Sequence, residues 1–481
     1  MKRWLIALLS VLMCVSLLAA CTGGGGNNSG NTNNNNTTTN NNSGGGSSNT
    51  GGGSNAGTTP APADDGPAFE WAIDTNLSGE ITMWSFLIGN PVFADLLPEF
   101  NKVYPNIKVN IVEIEFGEMH DNLQNTLAAG SGAPDIALVE EGQFGRYNYG
   151  GMLEDLLQAP YNVGRLKDLI PEYNWTRWQS VDGKHLYGMP WDITPLVTYY
   201  RADIIEELGF PSDPAEFGEY IKDPENWITL GEALKASGRY LLEFRDLPVQ
   251  WAANQYGYFN SNLEWQRNQE DLISLMETSL RTQQLGHSAE VSVYWEEGQQ
   301  YLEQGKLPLI VLGSFAAREL SNWVPDQAGK WRVTNAPLGV KGGQGGSSFV
   351  IPAQSKNKEA AYAFIEWMNL SEEAWKVFSS ERYSIQSGYK HIWEKEWYQN
   401  STNSFLGGQR DIELYSSLSD TILPKKLTRL DGRAYDEIWL PSILAAFDNY
   451  TDPRAALQQI QEDIYTVLGP DIEKFKQELA Q

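Results

Sequence analysis

The sequence predicts an α/β protein, because short β-prone runs alternate with amphipathic helical patterns. Residues 80–86, 107–112 and 134–139 are rich in Ile, Val and Leu or alternate apolar with polar residues, as strands do. Residues 92–104 and 119–129, which lie between these runs, repeat apolar side chains at helical spacing. Strands alternating with helices are typical of parallel β–α–β units, in which ligands bind beyond the carboxyl ends of the strands.

The same alternation continues through the rest of the chain. We expect a buried strand over 196–200, a helix at about 202–208 and a second helix at about 228–238, with Thr229 as its N-cap. Residues 262–304 are rich in Gln, Glu and Leu and are predicted to be mainly helical. Further predicted elements are strands over 307–312 and 348–351 and helices over 358–368 and within 435–468. Residues 333–337 are expected to lead into the loop that precedes the second of these strands.

A proline-bracketed stretch, residues 182–201, is the most distinctive local feature. It opens with an Asp-Gly turn signal, and Pro190 and Pro195 then enclose Trp191 and Asp192. Each proline fixes its own φ and favours an extended conformation in the residue before it. The stretch is therefore predicted to hold an aromatic face and a carboxylate side by side. Taken alone, it is equally compatible with a packed Trp at the entry to a strand.

The first 20 residues have the pattern of a targeting segment, in which two basic residues precede an apolar run over 4–18. This run is short for a membrane span. The tetrad Leu18-Ala19-Ala20-Cys21 resembles a bacterial lipoprotein signal, in which cleavage leaves Cys21 lipidated. The only other cysteine, Cys14, lies in the removed part. The mature chain is therefore expected to contain neither disulfides nor Cys-ligated metal sites.

Residues 21–68 are predicted to form a flexible tether, because they consist mostly of Gly, Asn, Ser and Thr. A coil of roughly 45 residues reaches about 35–40 Å in root-mean-square terms. Removal of the signal takes away two of the 35 basic residues and none of the 61 acidic ones, which leaves a formal charge of −28. This balance argues against nucleic acid and against a basic, lipid-binding surface.

Four stretches carry a family resemblance through their order and spacing. The resemblance extends over nearly all of 79–470. They are 126–136, 182–201, 305–315 and 345–361. Together they resemble the extracellular solute-binding proteins of ABC importers, in particular the large sugar-binding family 1 that includes maltose-binding protein. The resemblance implies a type II periplasmic-binding-protein fold with two α/β lobes, each discontinuous in sequence and joined by hinge crossovers.

Carried onto this chain, the resemblance gives lobe boundaries and a set of candidate residues. One lobe would comprise 79–189 and 350–395, and the other 194–348 and 396–481. The stretch 182–201 would form the first crossover and residues 347–352 the second. The expected ligand-binding residues are Trp84, Glu140, Glu141, Gln143, Trp191, Asp192, Trp251, Phe315, Gly345, Gly346, Tyr435 and Trp439.

These residue types suit a carbohydrate, which offers apolar faces for aromatic rings and hydroxyls for carboxylates and amides. Aromatic residues make up 12% of the chain, including 17 Trp. Glu140, Glu141 and Gln143 occupy the loop with which the family contacts sugar. Val139 replaces the aromatic residue of the maltose-type pattern there, so the resemblance implies hydrogen bonding by Glu141 rather than stacking. Phe315 takes the place of a stacking Trp in relatives.

Two alternatives share parts of this pattern. A tethered carbohydrate hydrolase or lyase would need two carboxylates at a set separation. Paired acids such as Glu140 with Glu141 exist, but nucleophile, metal and nucleotide motifs are missing, so no enzyme activity, metal or cofactor is expected. A tethered partner of a membrane sensor would share the fold and site. The expected partners are a carbohydrate and the permease subunits of an ABC transporter. The protein itself is expected to be a monomer that is lipid-anchored on the outer face of a Gram-positive type membrane.

Overall fold

The computed structural model of the protein describes residues 70–480. The predicted signal peptide over 1–20, the lipidation at Cys21 and the tether over 21–68 lie outside the described residues. Among the described helices, none combines the length and the apolar character that a membrane crossing requires.

The first sheet has five strands in the order β2-β1-β3-β8-β4. Their bounds are β1 Gly79–Ser85, β2 Ile107–Glu113, β3 Ile136–Glu140, β4 Met189–Pro190 and β8 Ser347–Val350. β1 pairs in parallel with β2 and β3, whereas β8 runs antiparallel to both β3 and β4. Because β1 and β3 are parallel, Trp84 and Glu140 lie toward the same edge of the sheet. The parallel prediction is thus confirmed for β1 to β3.

The second sheet has three strands in the order β6-β5-β7, and all of its pairs are antiparallel. Their bounds are β5 Leu196–Arg201, β6 Leu309–Gly313 and β7 Trp331–Asn335. The prediction of parallel units covers residues 80–143 only and does not extend to this sheet, whose described pairs are antiparallel. Alternating strand and helix patterns fix the type of each element, but the direction of pairing depends on how the long connections return to the sheet.

Nineteen α-helices are described in residues 70–480. In chain order they are Val92–Val103, Phe116–Ala129, Glu141–Phe144, Glu172–Thr176, Ala202–Glu207, Pro214–Tyr220, Pro224–Ala236, Leu247–Ala253, Glu270–Leu285, Glu296–Glu303, Ala316–Trp323, Lys358–Leu370, Glu372–Phe378, Lys390–Trp393, Glu396–Gln399, Asp411–Ser419, Asp431–Arg433, Leu440–Asn449 and Pro453–Leu479. Short 3₁₀ turns span Val163–Leu169, Pro325–Gln327 and Pro337–Gly339, and a π-helical turn spans Ala434–Trp439.

Two helix predictions are wrong in their bounds. The helix expected to be capped by Thr229 begins at Pro224, where the carboxylate of Asp223 accepts the backbone N–H groups of Glu225 and Asn226 at 2.8 and 3.1 Å. This Asp-Pro start satisfies the first N–H groups six residues earlier than the Thr would. The region predicted to be mainly helical over 262–304 contains two separate helices with irregular chain before and between them.

Each sheet is the centre of its own hydrophobic core, and we call these bodies the first lobe and the second lobe. Met83, Leu138 and Phe349 of the first sheet belong to one buried cluster. Along β5, Leu196 and Tyr200 point into one cluster of the second lobe, and Val197 and Tyr199 point into another. The second sheet is therefore covered on both faces, as the β-prone run over 196–200 predicts for a buried strand. The lobe boundaries expected from the resemblance stay a prediction.

Candidate ligand-binding site

A cavity of about 400 Å³ opens between the loop that follows β3 in the first lobe and several loops of the second lobe. Its wall includes three of the expected ligand-binding residues, Glu141, Gln143 and Tyr435. Its size lies within the range of small-molecule sites. A larger hollow, of about 710 Å³, lies on the second lobe near Arg201 and Gln327, at the end of β5 farther from the crossovers.

The loop after β3 is shaped by the residue that ends the strand. The carboxylate of Glu140 accepts the backbone N–H of Gly142 at 2.7 Å and so starts the one-turn helix Glu141–Phe144. Phe144 is fully buried and packs edge-on against Trp178, with ring centroids 5.0 Å apart. Phe144 thereby anchors the turn in the first lobe, and Glu141 and Gln143 lie on the cavity wall.

Glu141 is a buried carboxylate held by two cations. Its side chain is 9% exposed and pairs with Arg177 at 2.5 Å and with Lys425. Burial disfavours the ionised form of Glu141. The positive charges of Lys425 and Arg177 outweigh this effect and hold the pKa of Glu141 below its ordinary value. Arg177 also donates to the carbonyl of Gly345 at 2.8 Å. Glu141 is therefore ionised at neutral pH and, through Arg177, links its loop to the residues just before the second crossover.

The neighbouring carboxyl group, that of Glu140, is expected in the opposite protonation state. Burial and the charge of Glu141 together raise the pKa of Glu140 to about 8. Two consecutive glutamates in the β3 loop are thus expected to be neutral and ionised, respectively, at pH 7. Glu140 also lies close to the second crossover, since a Cβ on Gly345 would be 3.5 Å from its Oε1 and 4.0 Å from a ring carbon of Phe315. The structure thus brings the expected residues Glu140, Phe315 and Gly345 together.

The two crossovers are tied to each other beside Arg177. The Asp192 carboxylate accepts the backbone N–H of Ser347 at 2.6 Å, and burial raises its pKa to about 6. Gly346 has a φ of +100°, and a Cβ there would be 2.6 Å from Arg177 Nη2. Only glycine suits this position, because both its conformation and its contact exclude a side chain.

Three of the expected aromatic residues are buried. The Trp191 side chain lies among Phe93, Phe349 and Phe378, with ring centroids 5.2–5.6 Å apart, and the residue is 2% exposed. Trp251 and Trp439 are also buried, in the core of the second lobe. Their rings offer no face to a ligand in this structure, so a stacking role would require a conformation that uncovers them. Trp84 is half-buried against the core of the first lobe, outside the cavity wall.

An extended segment, residues 421–430, crosses between the lobes and forms one side of the cavity; we call it the strap. Lys426 Nζ donates to Gln179 at 3.0 Å, and the carbonyl of Leu427 accepts from Asn148 at 2.8 Å. Leu427 itself joins the hydrophobic core of the first lobe, whereas Leu430 joins that of the second lobe. The strap therefore contacts both bodies.

Sequence reasoning missed several residues of the cavity wall, among them Tyr258, Arg267, Lys425 and Asp431. Arg267 follows a short hairpin in which Phe259 pairs with Trp265, within the region predicted to be helical. The turn-forming residues over 260–262, Asn-Ser-Asn, which lie between Phe259 and Trp265, were the available signal for this hairpin. Lys425 lies in the strap, which carries no periodic pattern.

Comparisons with known proteins indicate one and the same family. Residues 89–375 match the model of the bacterial extracellular solute-binding protein family. An arabinooligosaccharide-binding protein of Bacillus subtilis (strain 168) is 27% identical over 386 residues, which cover 74% of this chain and 85% of that protein. An arabinooligosaccharide-binding protein of Halalkalibacterium halodurans is 24% identical over 412 residues, which cover 80% of this chain and 88% of that protein.

The solved structures agree on the fold. The galacto-N-biose-/lacto-N-biose I-binding protein of the ABC transporter from Bifidobacterium longum, in complex with lacto-N-biose, is similar to this chain with a TM-score of 0.65 at 17% identity. The match covers 82% of this chain and 98% of that one. The predicted two-lobed fold and the predicted family are thereby confirmed. This chain belongs to the family of bacterial extracellular solute-binding proteins.

Proposed function

We propose that this chain captures an oligosaccharide in the cavity between its lobes and delivers it to the permease of an ABC transporter. The observation that carries the proposal is the composition of the cavity wall, to which Gln143 comes from the first lobe and Tyr435 from the second. A ligand that contacts both would be enclosed as the lobes approach. The two arabinooligosaccharide-binding relatives support a carbohydrate as the ligand.

The proposed mechanism is hinge closure around the crossovers. A ligand that contacts both lobes favours the closed form by the difference between its affinities for the closed and open forms. The bond between Asp192 and Ser347 ties the two crossovers at the pivot, so the lobes would rotate about a fixed point. The closed form then docks on membrane subunits that supply the energy of transport. A lipid on Cys21 and the tether over 21–68 would keep a monomeric protein near those subunits on the outer face of the membrane.

One observation bears on the alternative of a carbohydrate-active enzyme. Glu140 and Glu141 have pKa values shifted in opposite directions, as the acid and base of a glycosidase do. However, the Glu141 carboxylate is engaged by Arg177 and Lys425, and Glu140 accepts the N–H that starts its own helical turn. These contacts favour structural roles for both carboxyl groups. We therefore propose binding without turnover, with presentation of a sugar to a membrane sensor as the other alternative.

A thermal-shift screen of the mature chain against neutral oligosaccharides, including arabinotriose and lacto-N-biose, tests the proposal. A ligand at 100 times its dissociation constant adds about 2.7 kcal/mol to stability, so a true ligand raises the melting temperature clearly. We expect at least one of these sugars to do so. Release of reducing ends from that sugar would contradict binding without turnover. A melting temperature unchanged by every sugar would contradict carbohydrate capture.

A further inference from the structure

Arg267 is a buried cation on the wall of the cavity. The residue is 3% exposed, and it lines the cavity together with Tyr258 and Asp431. Its guanidinium lies 3.5 Å from the centroid of the Tyr258 ring and 5.0 Å from that of Trp439. Stacking on these rings fixes the plane of the guanidinium and leaves its N–H groups as the polar edge of the group.

The hydrogen-bonding capacity of Arg267 is not used up within the protein. In the part of the chain that the structure describes, its Nε has no hydrogen-bond partner. Tyr258 engages the guanidinium in one side-chain hydrogen bond, and Asp431 attracts it electrostatically. The two carboxylate oxygens of Asp431, however, accept the N–H and the hydroxyl of Thr428, at 2.9 and 2.6 Å. Buried donors in folded proteins nearly always have an acceptor. Because Arg267 lies on the cavity wall, a ligand that enters the cavity can approach the edge of its guanidinium.

The charges around Arg267 indicate which kind of acceptor fits. Asp431 and Asp436 lie on the same wall, and the other basic residue of the wall, Lys425, already pairs with Glu141. A carboxylate on the ligand would face these acidic side chains at close range. Hydroxyl and ring oxygens of an uncharged sugar accept hydrogen bonds from a guanidinium fork without that repulsion.

We propose that Arg267 is a ligand-binding and specificity-determining residue, whose guanidinium fork donates to adjacent oxygens of a neutral oligosaccharide. This inference rests on the proposed function, because it identifies the group that recognises the sugar in the same cavity. Tyr258 acts as the platform that orients the fork.

Calorimetric titration of the mature chain with arabinotriose, and in parallel with trigalacturonate as an acidic probe, tests this role. The Arg267→Lys variant keeps the charge but loses the planar fork. Its matched control is Arg382→Lys, because Arg382 also lies over an aromatic ring, that of Tyr383, and does not line the cavity. We expect Arg267→Lys to weaken arabinotriose binding at least tenfold and Arg382→Lys to leave it unchanged. The melting temperatures of the two variants are also measured without ligand.

The outcomes separate the two proposals. Wild-type affinity for arabinotriose in Arg267→Lys would overturn the role of Arg267 while leaving sugar capture intact. Tighter binding of trigalacturonate than of arabinotriose by the wild type would overturn the neutral class. Binding of neither probe by the wild type would contradict sugar capture itself, and the role of Arg267 with it. If Arg267→Lys does not fold, Tyr258→Leu replaces it, with Tyr301→Leu as its control, because Tyr301 lies under Lys306 outside the cavity wall. We then expect weakened binding only in Tyr258→Leu, and equal binding by both would overturn the proposal.

Discussion

Lys425 and Glu141 form an ion pair between the strap and the first lobe. Lys425 Nζ also donates to the carbonyl of Asn254 in the second lobe at 3.2 Å, so one ammonium group joins three chain segments around the cavity. On its other side Glu141 pairs with Arg177, which is fully enclosed. This arrangement makes the carboxylate of Glu141 the centre of a buried network of alternating charges.

We predict that loss of the central carboxylate, Glu141, lowers stability more than loss of the outer cation Lys425 does. Glu141→Gln leaves Arg177 and Lys425 buried without their shared counter-ion, so we expect a loss of about 3–5 kcal/mol in the free energy of unfolding. Lys425→Met leaves Glu141 paired with Arg177, and a smaller loss of about 1–2 kcal/mol is expected. Urea denaturation measures both values. A Glu141→Gln variant as stable as the wild type would contradict the network, and Glu473→Gln in an exposed pair serves as control.

The raised pKa of Glu140 predicts a specific pH dependence of stability. The folded-state pKa of about 8 exceeds the ordinary value of 4.5, so the folded protein holds a proton that the unfolded chain releases. The stability from this group is complete below about pH 4.5 and is lost as the pH rises through 8. Glu140→Gln, which cannot ionise, should match the wild type near pH 5.

At pH 9 we expect the Glu140→Gln variant to be more stable than the wild type by at least about 1 kcal/mol. Urea denaturation at several pH values between 5 and 9 measures the difference. The exposed Glu118→Gln serves as the control, for which no such divergence is expected. Parallel stability curves for the wild type and Glu140→Gln over this range would show that Glu140 ionises normally.

The packing of the strap predicts a steric effect at Gly145. A Cβ on this residue would overlap the carbonyl group of Thr428, including a contact of 2.7 Å with its carbon. Gly145→Ala should therefore displace the strap and lower the melting temperature by several degrees. Gly164→Ala is the matched control, because its Cβ would meet only Leu157 at an ordinary 3.8 Å. Equal melting temperatures of the two variants would mean that the strap shifts to make room for the Cβ without a loss of stability.

The burial of Trp191 predicts a large loss of stability on truncation. Trp191→Ala empties the space between Phe93, Phe349 and Phe378 and should cost about 3–5 kcal/mol in the free energy of unfolding. Trp295→Ala, at a residue that is 51% exposed, should change stability little. Chemical denaturation compares the two. A stable Trp191→Ala variant that binds sugar weakly would instead favour the expected role of Trp191 in the cleft.

Much of the first lobe was predictable because its elements carry local patterns. Residues 92–103 form the expected helix, and Glu141 and Gln143 lie beyond β3 because they directly follow it in sequence. The antiparallel second sheet was not predictable in the same way. Its pairing joins β5 to strands more than 100 residues away, and local periodicity holds no information about that register.

The site was predictable only where sequence position determines spatial position. Arg267 and Lys425 reach the cavity through a hairpin and an aperiodic strap, so no spacing points to them. Trp191 illustrates the opposite case. A proline-bracketed Trp beside a crossover suits a cleft or a core equally well, and only the surrounding rings of Phe93 and Phe378 decide between them.

The central claim is that one ligand contacts both lobes in the cavity. Calorimetric titration of Gln143→Ala and of Tyr435→Ala with the sugar found by the thermal-shift screen tests it most directly, because each variant alters one lobe only. Lys108→Ala and Gln458→Ala, at exposed positions of the first and second lobes, are the controls. The account predicts that both cavity variants weaken binding at least fivefold and that neither control does. Unchanged affinity in either cavity variant would contradict a ligand held between the lobes.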